Sequence, residues 1–121
     1  MKNRDIINEK INEAIYYSDG QVIDGLWHRL DMFTDFFERR DLFLLVLERL
    51  LREGRIKLHK NGIFLESPIQ DQIEAFRRAW PKTNKPYPSH PDADFYLWFF
   101  DPECPAGVAW RQDDGHYEIT A

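Results

Sequence analysis

The sequence has one cysteine, no excess of basic residues and no long apolar run. Because Cys104 is the only cysteine, no internal disulfide can form, and we expect a reducing compartment. There are 16 Lys and Arg residues against 21 Asp and Glu, a net charge of −5. This balance opposes non-specific DNA binding, which requires a basic surface. No stretch approaches the ~20 apolar residues of a membrane-spanning helix, so we expect a cytoplasmic protein without a membrane segment.

The residues that are present predict a folded protein. Hydrophobic residues make up 43% of the 121-residue chain and aromatic residues 15%, which is typical of a globular domain with a real core. A chain of this length has room for one such core. We therefore expect a single domain over residues 1–121.

A leucine-rich stretch, residues 41–54, predicts the central helix. Its large apolar residues occupy most of the helix surface, and Gly54 follows as a helix-ending residue with positive φ. Leu45 lies within the narrow polar stripe, and we expect another segment to cover it rather than a partner. The alternating stretch that follows turns at Asn61-Gly62 and predicts a β-hairpin. A buried helix leading directly into a hairpin favours an α+β, winged-helix-like fold.

The hairpin register follows from the two-residue turn. It pairs Lys60 with Ile63, His59 with Phe64, Leu58 with Leu65 and Lys57 with Glu66. One face then carries Ile56, Leu58, Ile63 and Leu65 and is expected to pack on the helices. The outward face carries Arg55, Lys57, His59, Phe64 and Glu66. For Phe64 we favour contact with His59 or with the C-terminal segment over a role as a partner anchor.

The remaining elements are read from periodicity and from caps. Helices are predicted over residues 5–17, 22–30 and 67–80, the third with Ser67 as N-cap, Pro68 at the first helical position and Gln70 completing a capping box. Phe33, Phe36 and Phe37 belong to a linking turn or short helix.

Residues 81–90 form an extended connection in which Tyr87 is either a contact residue or merely fixed to the surface. Aromatic crowding favours a strand over residues 94–100, although Asp92 and Asp94 would equally suit a helix start. Residues 108–111 and 116–120 predict a second hairpin.

No catalytic or metal site stands out. Cys104 could act as a nucleophile with a histidine, but no helix N-terminus follows it to lower its pKa, so we expect a structural cysteine. His90, Asp92, Asp94 and Glu103 match neither zinc nor calcium spacing. We therefore expect a non-catalytic protein without a cofactor or metal.

Charge is spread unevenly along the chain. Basic residues dominate from Arg49 to Lys60, whereas the final quarter is acidic. The acidic quarter would attract a basic partner, unless it is only a solvated surface. Winged-helix DNA binding through Arg55, Lys57, His59 and Lys60, with Phe64 as a further wing contact, is the alternative, but the leucine-rich helix is unlike a recognition helix.

Two segments carry a family resemblance. Leu47–Leu58 with the hairpin that follows, and Trp98–Trp110 with Asp114-Gly115, are similar to those of a small bacterial family of unknown function. Members of this family resemble immunity proteins encoded beside contact-dependent or polymorphic toxins. The resemblance implies a protein that neutralises a cognate toxin by covering it through an acidic surface. The contacts would be Asp92, Asp94, Asp101, Glu103, Asp113, Asp114 and Glu118, with Tyr87, Trp110 and Tyr117 as aromatic anchors.

Overall fold

The computed structural model describes residues 2–120, with side chains from residue 6 onward. Within these residues the chain has the predicted α+β composition. The helices are α1 (Lys2–Ser18), α2 (Ile23–His28), α3 (Phe36–Arg52) and α4 (Ile69–Ala79), with a 3₁₀ helix at Phe95–Phe100. The strands are β1 (Ile56–Lys60), β2 (Ile63–Phe64), β3 (Gly107–Arg111) and β4 (Tyr117–Ile119). None of the described helices is both long and apolar enough to cross a bilayer.

The two predicted hairpins are joined into one antiparallel sheet with strand order β2-β1-β3-β4. The register of the first hairpin is confirmed, because His59 pairs with Phe64 and Lys60 with Ile63. Asn61 and Gly62 both have positive φ, as a two-residue turn of this kind requires. The sequence did not predict that β1 also pairs with β3, with Ile56 opposite Trp110. The presumed wing is therefore half of a continuous sheet.

The central helix begins earlier than predicted and ends as predicted. Its N-cap is Asp35, whose carboxylate accepts a hydrogen bond from the Glu38 backbone N–H at 2.9 Å. Phe36 and Phe37, which were predicted to lie in a linking turn or short helix, thus belong to α3. At the other end Gly54 has φ 71°, and the following N–H of Arg55 donates to the Leu50 carbonyl at 3.0 Å. This left-handed glycine is the expected helix terminator.

The core lies between the helices and one face of the sheet. Buried leucines of α3 and the buried side chains Ile56, Leu58, Val108 and Trp110 belong to one cluster. A second part of the same core is aromatic. The ring centroid of Trp27 lies 4.8 Å from that of Phe95 and 5.5 Å from that of Trp80. These contacts fix the 3₁₀ helix against α2 and the end of α4.

Three predicted burial states are wrong. Leu45 is 56% exposed, because α1 and α4 flank it without covering it, through the contacts Asn12–Arg49 and Asp41–Arg77. Ile63 is 74% exposed, because it lies beside the turn in a two-residue edge strand. His59, expected to face outward, is only 6% exposed. Its strand is central in the sheet, and its Nδ1 accepts a hydrogen bond from the Gly62 N–H at 3.1 Å.

Two local assignments are also wrong. Residues 95–100 form a 3₁₀ helix instead of a strand, with the Asp101 N–H donating to the Trp98 carbonyl at 3.0 Å. The buried residues of this segment are Phe95, Trp98 and Phe99, a helical spacing that the crowding of aromatic residues obscured. Helix α4 has Pro68 at its N-cap and no side-chain cap, so the predicted capping box of Ser67 and Gln70 is absent.

Candidate protein-binding site

The loop between the 3₁₀ helix and β3, residues 101–106, is fixed to the sheet by Lys60. The ammonium group of Lys60 donates to the Pro102 carbonyl at 2.9 Å and to the Cys104 carbonyl at 2.6 Å. The Cys104 N–H donates in turn to the Asp101 carbonyl at 2.9 Å. Hydrogen bonds from a charged donor are stronger than neutral ones, so this loop has a defined shape. We call it the Lys60-anchored loop.

The carboxylate of Asp101 is held by two donors. The hydroxyl of Tyr87 donates to Oδ2 at 3.0 Å, and the backbone N–H of Glu103 donates to Oδ1 at 2.9 Å. Burial raises the pKa of Tyr87, and the hydrogen bond to Asp101 and the nearby carboxylate of Glu103 raise it further. Tyr87 is therefore fixed to the acidic loop, and its contact with a partner stays a prediction.

Cavities lie on both sides of Asp101. The larger has a volume of about 500 Å³ and includes His59, Lys60 and Phe100 in its lining. The smaller has a volume of about 270 Å³ and combines apolar, aromatic and acidic residues. We call the smaller one the proline recess; it is lined among others by Pro81, Pro86, Tyr87, Trp98, Asp101 and Glu103.

Phe100 is a surface residue that sequence reasoning missed. It ends the 3₁₀ helix and is 55% exposed, directly before Asp101. The prediction of a buried strand concealed it, because a strand would have made all its aromatic residues core residues. The helical spacing of Phe95, Trp98 and Phe99 was the signal that could have identified Phe100 as outward-facing.

Cys104 is a buried residue of the Lys60-anchored loop. It is 2% exposed and in hydrogen-bond contact with the Ala106 carbonyl, with Sγ and O 3.5 Å apart. Burial raises the pKa of the thiol to about 11. A thiol of this kind is almost fully protonated near neutral pH, so its environment disfavours the nucleophilic thiolate.

The predicted acidic surface is divided into three groups. Asp101 and Glu103 lie on the Lys60-anchored loop, and Asp92 and Asp94 lie at the far end of the 3₁₀ helix. At ~2 Å per residue, that helix separates Asp94 from Asp101 by about 14 Å. Asp113, Asp114, Tyr117 and Glu118 form the third group, at the opposite end of β3. The predicted acidic residues therefore lie at three different places in the fold.

The two acidic groups outside the Lys60-anchored loop interact with other residues of the protein. Asp94 forms an ion pair with Lys85 at 3.0 Å and lines a mixed-charge cavity of about 240 Å³ with His28 and Arg39. At the other end, hydrogen bonds from the backbone and the ring of His116 lower the pKa of Asp114. Asp114 is thus part of the turn that joins β3 to β4.

Two of the predicted aromatic anchors have structural roles. Trp110 is 4% exposed, and its indole N–H donates to the Gln21 carbonyl at 2.8 Å, so the prediction that it anchors a partner is wrong. Tyr117 is half-buried and donates from its hydroxyl to the Gly54 carbonyl at 2.7 Å. Its ring also contacts Phe64, with centroids 6.3 Å apart, which confirms the expected contact of Phe64 with the C-terminal segment.

The alternative wing residues are only partly accessible. His59 is buried, and the ammonium group of Lys57 lies 4.5 Å from the ring centroid of Tyr117 and 5.3 Å from that of Phe64. Arg55 lies 3.9 Å from the carboxylate of Glu53. Among the described side chains, no group of three or more His, Cys, Asp or Glu residues is placed to hold a metal ion.

The fold is similar to a solved structure described as an uncharacterized protein conserved in bacteria, from Neisseria meningitidis. The TM-score is 0.78 and the sequence identity 24%, over 96% of this chain and 93% of that chain. At this identity the likeness concerns the fold alone. No curated protein matches the chain.

Residues 51–120 match a family described as "Protein of unknown function, DUF596". The matched segment includes all four strands of the sheet described above, helix α4 and the Lys60-anchored loop. The match confirms the predicted membership of a family of unknown function, whereas the resemblance to immunity proteins stays a prediction. Because the match extends over more than half of the chain, the protein belongs to DUF596, a family of proteins of unknown function.

Proposed function

We propose that the protein is a non-catalytic immunity protein that neutralises a cognate bacterial toxin by covering it. Support comes from the sequence resemblance, from the net charge of −5 and from the form of the Lys60-anchored loop. The observation that carries the proposal is the exposed ring of Phe100 beside the carboxylates of Asp101 and Glu103. Aromatic residues, Phe among them, are enriched at the core of protein interfaces, and the surrounding rim is polar.

The acidic character suits a toxin that acts on nucleic acid. Such a toxin needs a basic surface to hold its substrate, and an acidic inhibitor is attracted to that surface over long range. Attraction speeds the encounter, while Phe100 supplies apolar contact once the two proteins meet. Covering the basic substrate site neutralises the toxin without any chemical step.

The anchoring of the loop also favours tight binding. Lys60 holds two carbonyl groups of the loop, and Tyr87 holds the carboxylate of Asp101. Little conformational entropy is then lost when the loop docks, so more of the interaction energy contributes to affinity.

Nucleic-acid binding through the wing has less support. Of the five residues proposed for it, His59 is buried, Phe64 packs on Tyr117, and Lys60 donates to two carbonyls of the loop. Arg55 and Lys57 remain, and Lys57 already lies over two aromatic rings. Two cations provide few of the phosphate contacts that produce non-specific affinity.

The test uses the product of the gene adjacent to the one that encodes this chain. We expect the chain to co-purify with that product, to protect cells that express it, and to bind more weakly as salt rises. Phe100→Ala should weaken the complex by about tenfold. The matched control is Asp113→Asn with Asp114→Asn, which removes charge far from Phe100 and should weaken the complex much less.

Two results would contradict the proposal. Absence of a complex with the adjacent product, and of any protection from it, would exclude the immunity function for this pair. If Phe100→Ala and the turn variant weakened the complex equally, the interface would not be centred on the Lys60-anchored loop.

A further inference from the structure

The proline recess combines two kinds of lining. Its apolar part includes Pro81 and Pro86 together with the aromatic rings of Tyr87 and Trp98. Its volume of about 270 Å³ is enough for one long side chain. Proline and aromatic surfaces accept the methylene stem of an arginine or lysine, because that stem is apolar whereas its end is charged.

The acidic part of the recess is not neutralised from within the protein. In the part of the chain with described side chains, neither Asp101 nor Glu103 forms an ion pair. Lys82 lines the recess as well, but it is exposed and has no described salt bridge to either carboxylate. Each oxygen of Asp101 accepts one described hydrogen bond and keeps capacity for a second.

We propose that the proline recess receives a basic side chain, an arginine or lysine, from the protein partner. The stem lies along the prolines and the rings, and the cationic group meets the carboxylates of Asp101 and Glu103. This inference rests on the proposed function for the identity of the partner as a basic protein, and adds the point at which that partner is recognised.

Arginine fits the recess better than lysine. A guanidinium group is planar, carries five N–H donors in a fixed arrangement and stacks on aromatic rings. Two carboxylates beside the half-buried ring of Tyr87 offer both acceptors and a ring face. Lysine would meet the same carboxylates as a point charge without the planar contact.

The recess is tested without the partner, on the full-length chain, with small amides as probes. N-acetyl-arginine amide is titrated while NMR follows the indole N–H of Trp98 and the backbone N–H groups of Glu103 and Tyr87. N-acetyl-citrulline amide is the neutral probe of nearly the same shape, and N-acetyl-lysine amide compares the two cations. We expect saturable shifts at these three residues with arginine, smaller ones with lysine and none that saturate with citrulline.

Two variants test whether the carboxylate of Glu103 binds the cationic group of the probe. Glu103→Gln should weaken binding of the arginine probe by about threefold, the size expected of one exposed ion pair. Asp113→Asn, at the other end of β3, should leave it unchanged. Both substitutions affect exposed side chains, so neither should disturb folding.

The outcomes separate this inference from the proposed function. Citrulline binding as well as arginine, or arginine shifts that avoid the recess, would overturn the inference. If the arginine probe fails while the adjacent gene product still binds through Phe100, the immunity proposal stands and the recess is not its recognition point. If the probe binds and no toxin complex forms, the recess recognises a basic side chain of a different kind of partner.

Discussion

Both ends of strand β3 carry acidic residues, but the two ends differ in how firmly the rest of the fold holds them. At the first end, the Lys60-anchored loop contains the buried Cys104 and directly follows the 3₁₀ helix, whose Trp98 is part of the aromatic core. At the second end, Asp113 and Asp114 lie in an exposed turn whose bonds are mostly its own, as between Asp114 and His116. The four residue steps of β3 place the two ends about 14 Å apart.

The comparison shows that equal charge does not mean equal capacity to bind. Acidic residues on a supported, concave surface next to an exposed aromatic residue can define a specific contact. Acidic residues in an exposed turn interact mainly with water and salt. Substitutions at the first end should therefore change stability where the residue is buried or anchors the loop, and binding where the residue is exposed. Substitutions in the turn should have much smaller effects.

The largest expected effect is at Trp98. Trp98→Ala removes a buried ring that contacts Trp80 and Phe95, with centroids 5.2 and 5.8 Å away, and leaves a cavity. We expect a loss of about 3–5 kcal/mol in the free energy of unfolding, measured by urea denaturation. Leu97→Ala, at the half-exposed neighbour, is the control and should cost much less. Equal losses would mean that the 3₁₀ helix is not anchored through its buried face.

The next effect is a dependence on alkaline pH through Cys104. The pKa of its thiol is raised from 9.0 to about 11 in the folded protein, so the unfolded chain loses its proton first as pH rises. The folded state is then disfavoured progressively between these two values, and below pH 9 there is no such loss. A shift of this size corresponds to about 2–3 kcal/mol.

The measurement compares the chain with Cys104→Ala across that pH range. Tyrosines and lysines also titrate there, but they do so in both proteins, so the difference between the two unfolding free energies isolates the thiol. As pH rises through this range, the unfolding free energy of the chain with Cys104 should fall relative to that of the alanine variant. A constant difference would show that the thiol ionises as easily in the folded protein as in the unfolded chain.

A smaller effect is expected at Lys60. Lys60→Met keeps the stem but removes the donors to the Pro102 and Cys104 carbonyls, and should cost about 2 kcal/mol. Hydrogen exchange should also rise in the loop. Lys57→Met is the matched control on the same strand, since its exposed ammonium group contacts only ring faces among the interactions described. If Lys57→Met lost more stability than Lys60→Met, Lys60 would not be the residue that anchors the loop.

The smallest effect is expected in the turn. Asp114→Asn removes a charge that hydrogen bonds from His116 stabilise, which lowers the pKa of this carboxyl. The stabilisation is present above the ordinary pKa of the carboxyl and is lost as pH falls through the lowered value. Because the group is fully exposed, water and salt screen the interaction, and the midpoint of thermal unfolding at neutral pH should not change measurably. A clear decrease would show that both ends of β3 are structurally fixed.

Local sequence signals predicted much of the secondary structure. The end of α3 at Gly54, the turn at Asn61-Gly62, the register of His59 with Phe64 and the second hairpin were all predicted correctly. Each of these depends on a few neighbouring residues with a strong conformational preference. The candidate site was predicted less well, because its residues come from β1, the proline-containing connection and the 3₁₀ helix.

Three of the wrong predictions, those for His59, Trp110 and Leu45, share one cause. His59 is buried because β1 pairs with β3, whose partner residue Gly107 is distant in sequence. Trp110 is buried by the same sheet and by its hydrogen bond to Gln21. Leu45 is exposed because α1 and α4 stop on either side of it. Periodicity identifies which face of an element is apolar, but it does not say what packs against that face.

The sequence by itself determined the helix ends and turns that depend on Gly54, Asn61 and Gly62, the alternation of the hairpins and the acidic balance of the chain. These properties result from steric limits on the backbone and from composition, which do not depend on distant residues. Only the tertiary structure decided that the hairpins form one sheet, that Lys60 holds the loop beside Phe100, and that the acids divide into three groups. Pairing between distant segments depends on packing and on the geometry of the whole chain, and a single sequence does not encode that in any local pattern.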